Sequence, residues 1–288
     1  MYKTILAMKR EFKVSLLSTL LKYLFNRNAL NNAVLKDTTV PLKIGQMWQL
    51  INLLNNGWQI GTVKDTHVKM VNKDGSVITC RLKYGFDLWH LNEIWVNQVY
   101  GSDFKDANVV DIGASNGDSS IFFAKRGAKK VIGFEPDNRS YNLAFGNIKE
   151  SGVGHIVTPF NKAISWYTGK TKLLAYDKNP NANSVDKVNM VVIEDDIIRE
   201  EYVECISLRE AIGMFGEEGI GLLKMDCEGC EYSVLGSLKE SDFVRIESVY
   251  LEYHNGIQKL PEILKKSGFS YHITGDPNRK GYLVASRA

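Results

Sequence analysis

Residues 109–118 read Val-Val-Asp-Ile-Gly-Ala-Ser-Asn-Gly-Asp, an apolar run that breaks into a turn with glycines four apart at Gly113 and Gly117. Lacking a Cβ at both positions, such a turn lets a ligand lie against the backbone where a helix begins. The spacing is not the G-x-G-x-x-G of dinucleotide binding, and no Lys-Ser or Lys-Thr follows as in a P-loop. It suits a nucleoside without a pyrophosphate. Eighteen residues after Gly117 a second apolar run ends in Phe134-Glu135-Pro136, and a carboxylate at that edge can accept both hydroxyls of a ribose. Glycines alone would fit a purely structural turn; their pairing with Glu135 points to a ligand.

Such a site needs a sheet whose strands end at one edge. From Asn108 onward short apolar runs alternate with amphipathic stretches, which predicts βαβ units and a mostly parallel sheet. Strands are expected at Asn108–Ile112, Lys130–Phe134, near His155–Phe160, at Gly221–Met225 and at Ser248–Glu252. Helices are expected at Ser119–Arg126, Arg139–Lys149, Leu208–Phe215, Glu231–Leu238 and Gln258–Lys266. The polar stretch Asn179–Asp186 could border a pocket but reads more simply as a solvated loop, and apolar Met190–Ile193 follows it. Ser270–Thr274 and Tyr282–Ala285 flank Gly275, Asp276, Pro277 and Gly281, which predicts an antiparallel hairpin.

The chain has 288 residues, 44% hydrophobic and 24% charged. That is enough for a sizeable core and excludes a disordered, collagen-like or coiled-coil protein. The first hundred residues carry a net charge of +7 and the remainder −4. Two parts follow: an accessory region, 1–100, and a domain, 101–288. In the former, apolar residues between Leu6 and Leu24 recur at helical spacing among Lys9, Arg10, Lys13 and Lys22, a basic amphipathic helix. Asp74-Gly75 between Val68–Val71 and Val77–Cys80 reads as a hairpin turn. The net +6 over residues 1–36 admits three roles: packing on the domain, pairing with another subunit, or peripheral contact with an anionic membrane surface. The apolar stretch Val14–Phe25 is shorter than the ~20 residues of a membrane span and lacks a cleavage site. Four cysteines, Cys80, Cys205, Cys227 and Cys230, are too few and too uneven for a disulfide scaffold, so reduced thiols in a cytoplasmic compartment are expected. Nothing in the pattern sets an oligomeric state.

Three segments resemble the FkbM family of S-adenosylmethionine-dependent methyltransferases: Val110–Ser120, Gly127–Pro136 and above all Leu223-Lys224-Met225-Asp226-Cys227-Glu228-Gly229-Cys230-Glu231. The resemblance spans about residues 82–255, including Gly85-Phe86-Asp87-Leu88-Trp89. It implies an α/β fold with a Rossmann-like seven-stranded methyltransferase sheet and an antiparallel last strand, beside a small N-terminal helical and hairpin region. It also implies S-adenosyl-L-methionine as cofactor and methyl transfer to a hydroxyl of a small-molecule or glycan acceptor, such as a sugar or secondary metabolite. Carried over by position, Asp111, Gly113, Ala114, Asn116 and Gly117 meet the methionine part of the cofactor, Glu135 with Pro136 the ribose, and Asn161 and Ala163 the adenine; Asp226 also borders it. Cysteines at 227 and 230 depart from the family's usual small or aliphatic residues, and packing under the cofactor is their expected role.

An alcohol attacking a methyl donor in line must lose its proton, so a base or a cation is needed near the acceptor oxygen. Asp226 ends the fourth strand of the domain, with Glu228 and Glu231 just beyond. In the expected strand order the fifth strand lies beside it, ~4.8 Å away, and period-two alternation puts Glu252 and His254 on one face. Asp226, Glu228, Glu252 and His254 are the candidate catalytic residues. Glu228 and Glu231 could instead serve a helix N-terminus, and His254 could be a satisfied edge residue. Asp226, Glu252 and His254 could also bind a divalent cation, but no spacing specifies a metal geometry and no metal ligand is assigned.

Two other classes compete. A base methyltransferase would use the basic N-terminal part on phosphates; the Asn/Asp-Pro-Pro-aromatic stretch of amine-directed enzymes is absent, and carboxylates would repel a phosphate chain, so nucleic acid is disfavoured as a partner. A non-catalytic cofactor-binding protein would need Glu135 and the glycine loop, but neither Asp226 nor His254.

Overall fold

The computed structural model describes residues 10–13, 30–83, 86–176, 179–186 and 198–287. The chain divides into two compact units, Met1–Gly101 with Glu150–Gly152, and Ser102–Lys149 with Val153–Ala288.

In the first unit, β1 (Leu30–Leu35) and β2 (Thr38–Lys43) form an antiparallel hairpin. Helix α1 (Ile44–Asn55) follows; Ile44, Met47, Leu50 and Ile51 make its buried stripe at helical spacing. Strands β3 (Trp58–Lys64), β4 (His67–Asn72) and β5 (Val77–Arg81) form an antiparallel sheet in that order. The turn between β4 and β5 is Asp74-Gly75 as expected, with Gly75 at φ +83°. Helix α2 (Phe86–Leu91) supplies Asp87, whose buried carboxylate takes Arg81 Nε and Nη2 at 2.8 Å each. The sequence pattern had pointed to a single hairpin here, so β1, β2, β3 and α1 are additions. The expected basic helix at Leu6–Leu24 lies outside the described residues except for 10–13, where Phe12 is fully buried.

The second unit is built on a seven-stranded sheet. Its strands are β6 (Asn108–Ile112), β7 (Lys130–Phe134), β8 (Val157–Phe160), β12 (Ile220–Met225), β13 (Ile246–Tyr253), β14 (Phe269–Gly275) and β15 (Gly281–Arg287). Their order is β14-β15-β13-β12-β6-β7-β8. Every pairing from β13 to β8 is parallel, while β15 runs antiparallel between β13 and β14. All five residues of β6 are buried, as a strand covered on both faces requires. Helices α3 (Asp118–Lys125), α4 (Asn138–Glu150), α5 (Leu208–Gly213), α6 (Glu231–Gly236) and α7 (Leu260–Lys266) alternate with the strands. The core joins Val110, Phe134, Leu223, Val249 and Leu251 from the sheet to Ile212, Leu235 and Leu264 from the helices.

One sheet was not anticipated. Strands β9 (Ala163–Ser165), β10 (Gly169–Tyr176) and β11 (Ile198–Ser207) pair in the order β10-β11-β9. The strands of this sheet carry charged cross-strand pairs such as Lys172 with Glu200 at 2.7 Å, and this density of charge hides the strand pattern. Met190–Ile193 lies outside the described residues. Among those residues, no helix is long and apolar enough to cross a membrane.

Candidate active site

Strand register sets the site. Ile112 pairs with both Phe134 and Met225, and Met225 with Leu251, so whatever follows β6, β7, β12 and β13 arrives at one carboxyl edge. After β6 the backbone is left-handed at Gly113 (φ +75°), Ser115 (φ +45°) and Gly117 (φ +83°), which curls the loop before α3. Glu135 closes over it: its carboxylate accepts the Ser115 N–H at 2.9 Å and the Asp137 N–H at 2.8 Å. Two backbone bonds fix the direction of a group that offers about four acceptor positions, and a carboxylate so held at this edge fits a ribose diol.

Protein packs where a Cβ would begin at each glycine, a constraint different from the expected one of space for a ligand. A Cβ on Gly113 would lie 1.8 Å from the Asp226 carbonyl oxygen, and one on Gly117 3.1 Å from Ala144 Cβ on α4. Asp111 is also placed differently from the expected cofactor contact. It is fully buried, pairs with Lys224 Nζ at 3.0 Å, and accepts the hydroxyls of Ser119 and Ser120 at 2.7 and 2.6 Å. Lys224 further donates to the carbonyls of Ile112 and Gly113 at 3.2 and 2.8 Å. Burial pulls this ammonium toward neutrality, but Asp111 first, with Asp226 and Asp118, holds it above the ordinary lysine value. The pair therefore shapes the loop from beneath. Ala114 and Asn116 are buried in the loop, the Asn116 carbonyl accepting Asn147 Nδ2 at 2.9 Å. Asn161 stands beside Glu135, but its Nδ2 donates to the carbonyls of Glu135 and Pro136 at 2.9 and 3.0 Å, bracing the end of β7. Ala163 is buried in β9.

Past Met225 the chain folds back through left-handed Glu228 (φ +54°) and Gly229 (φ +116°). This brings the Cα atoms of Cys227 and Cys230 to 5.5 Å, and a disulfide joins them, within the span such a bond requires. The expectation of reduced, merely packed thiols at 227 and 230 is thereby corrected; Cys80 and Cys205 are free and buried. Glu231, fully buried at the start of α6, accepts the N–H groups of Cys227 and Gly229 at 3.1 and 2.9 Å.

The same Glu231 carboxylate reaches His254. Its Oε1 lies 3.4 Å from Nδ1, and Nε2 then faces Glu228 Oε2 at 3.3 Å, Asp226 Oδ1 at 3.7 Å and Glu252 Oε1 at 3.9 Å. The imidazole has no solvent exposure. Lys280, from the turn between β14 and β15, places Nζ 2.6 Å from Glu252 Oε1. Burial alone would make His254 neutral, but the Glu231 carboxylate beside Nδ1 and the charges of Glu228 and Asp226 outweigh it and push the imidazole up to about 10. Burial, reinforced by Asp226, pushes Glu228 up to about 8 and Glu252 up to about 7. The structure thus brings together Asp226, Glu228, Glu231, Glu252 and His254, a set able to take up or hold a proton.

The stretch Asn179–Asp186 is not a solvated loop. Ala182 and Ser184 are buried; Asn181 Oδ1 accepts the Ser115 hydroxyl at 3.3 Å, and Ser184 Oγ donates to the Glu228 carbonyl at 2.6 Å. It straps the glycine loop to the acidic turn. Lys280 and Ser184 carry no local sequence signal for these contacts. Lys224 left a signal, a lone charge in an apolar strand matched by Asp111 in another. A separate cavity of about 330 Å³, lined by Asn108, Lys129, His155 and Glu218 among others, lies where β6 and β7 begin, at the opposite edge.

Residues 111–271, more than half of the chain, match the methyltransferase FkbM domain. The AMB antimetabolite synthetase AmbE of Pseudomonas aeruginosa is 26% identical over 230 residues, which is 66% of this chain; the chain spans only 11% of that protein's length. Among solved structures, the methyltransferase FkbM of Methylobacillus flagellatus KT is similar at 14% identity and a TM-score of 0.45, covering 67% of this chain and 47% of that one. The magnesium protoporphyrin IX methyltransferase of Synechocystis PCC 6803, solved with bound SAM, is similar at 12% identity and a TM-score of 0.38, covering 69% and 79%. With the match over residues 111–271, this chain belongs to the FkbM methyltransferase domain family.

Proposed function

We propose that the protein uses S-adenosyl-L-methionine to methylate a hydroxyl of a sugar, glycan or secondary metabolite. The observation that carries this reading is the convergence of two sites on one sheet edge: the Glu135-capped loop, and the carboxylate and imidazole cluster whose Asp226 N–H bonds the Ile112 carbonyl at 3.1 Å. When bound, S-adenosylmethionine supplies an electrophilic methyl group that passes from sulfur to the acceptor oxygen, leaving S-adenosylhomocysteine.

Glu135 would hold the ribose hydroxyls in this reading, and the backbone between Gly113 and Gly117 would contact the rest of the cofactor. The cluster of Asp226, Glu228, Glu252 and His254 orients the acceptor hydroxyl and receives its proton as the oxygen attacks. The three acidic groups of this cluster favour a neutral, hydroxylated acceptor over phosphate-rich ones. Similarity to an antimetabolite synthetase is in keeping with a secondary-metabolite acceptor.

The test is incubation of the purified protein with methyl-labelled S-adenosylmethionine and fractionated small-molecule and glycan extracts, followed by identification of the labelled product. A label in an ether-linked methyl supports the reading; label only on amine nitrogen or in nucleic acid contradicts it.

A further inference from the structure

We propose that Asp226, Glu228 and His254 form a binding site for one divalent cation of the Mg²⁺ or Mn²⁺ class. Each of the three residues offers one ligand atom, a carboxylate oxygen or an imidazole nitrogen, and these atoms all lie within 4.8 Å of one another. Metal–ligand bonds of ~2.1–2.2 Å place ligand atoms ~3 Å apart when adjacent and up to ~4.4 Å apart when opposite. The 3.3 and 3.7 Å separations of Nε2 from the two carboxylates fall inside that range.

A second observation separates this cluster from an ordinary acidic patch. The imidazole of His254 is wholly buried, and neither of its nitrogens has a well-formed hydrogen bond; buried Glu228 Oε2 also lacks one. Buried polar atoms without partners are rare because each forfeits its hydration. These two converge on the same point.

The surroundings fit as well. Glu231 sits 3.4 Å from Nδ1, the position of the carboxylate that orients a metal-bound histidine and directs the other ring nitrogen at the ion. Four carboxylates, those of Asp226, Glu228, Glu231 and Glu252, surround one imidazole, with the Lys280 ammonium on Glu252. Oxygen ligands in the majority favour Mg²⁺ or Mn²⁺, and the imidazole suits Mn²⁺ better than Ca²⁺. The purpose of the ion rests on the methyl-transfer reading: it would bind the acceptor hydroxyl and ease loss of that proton to Glu252.

Electron paramagnetic resonance of Mn²⁺, titrated into chelator-stripped full-length protein, tests the site without any acceptor. One Mn²⁺ should bind per chain with loss of the free-ion signal, and Mg²⁺ should displace it. Glu228→Gln and His254→Ala should each weaken binding at least tenfold. Circular dichroism checks the folding of both, and the near-isosteric Glu228→Gln alone decides if His254→Ala does not fold. An undiminished free-ion signal, or equal binding by wild type and Glu228→Gln, overturns the proposal. Calorimetry of S-adenosylhomocysteine on the same stripped protein separates the two readings, because cofactor binding without Mn²⁺ binding defeats the cation site alone, and Mn²⁺ binding without cofactor binding defeats the methyl-transfer reading alone.

Discussion

The carbonyl oxygen of Asp226 occupies the space where a side chain at position 113 would begin, since a Cβ on Gly113 would lie 1.8 Å from it. The ends of β6 and β12 are therefore in backbone contact, which joins the glycine loop to the turn that carries the acidic cluster.

Gly113→Ala tests this contact. The substitution meets both a backbone oxygen and a φ of +75°, so a loss of about 2–5 kcal/mol is expected from strain and overpacking together. The urea midpoint of unfolding should fall clearly. An unchanged midpoint would show that the contact is not rigid.

Lys224→Met should destabilise by about 3–5 kcal/mol, because it leaves the Asp111 carboxylate buried without its cation. In the double variant Asp111→Asn with Lys224→Met much of that loss should return, since no charge is then stranded. Chemical denaturation of the three variants reads the coupling, and simple additivity of the two single losses would argue against a shared pair.

The accessory unit has its own pH signature. Burial opposes ionisation of Asp87, but Arg81 outweighs it and holds the carboxyl below its ordinary value. A depressed folded-state value contributes stability above the unfolded value of ~3.9 and loses it as the pH falls through the folded one. Thermal melts should therefore show wild type more stable than Asp87→Asn near neutrality, with the gap closing below about pH 4. A gap that persists in acid would remove the ion pair as its cause.

If the cluster acts on the acceptor, His254→Ala and Glu228→Gln should leave S-adenosylhomocysteine affinity nearly unchanged and lower turnover by roughly 10²–10⁴-fold with the true acceptor. Full turnover in both would leave proximity and alignment as the whole of the catalysis.

What the sequence made legible was what local pattern encodes. The continuous apolar run of β6, the Gly and Pro residues around the β14–β15 turn, and the two-residue alternation that puts Glu252 and His254 together are all local signals. Lys280 reaches Glu252 only because β15 returns antiparallel against β13, pairing Gly281 with Tyr253, a register no local pattern announces. The Cys227–Cys230 bond depends on left-handed backbone at Glu228 and Gly229, and glutamate gives no hint of that conformation. Asp111 showed as a charge at a ligand loop, yet its partner is Lys224 on the neighbouring strand; a charge in a buried strand is first a demand for a counter-charge.

The most direct measurement is isothermal titration of S-adenosylmethionine and S-adenosylhomocysteine into the purified protein, with Glu135→Ala in parallel. Both should bind with micromolar or tighter affinity, weakened by about 1.5–3 kcal/mol, or roughly 10–150-fold, in Glu135→Ala through loss of charge-assisted bonds to the ribose. No binding of either compound, or tighter binding of NAD than of S-adenosylhomocysteine, would contradict it.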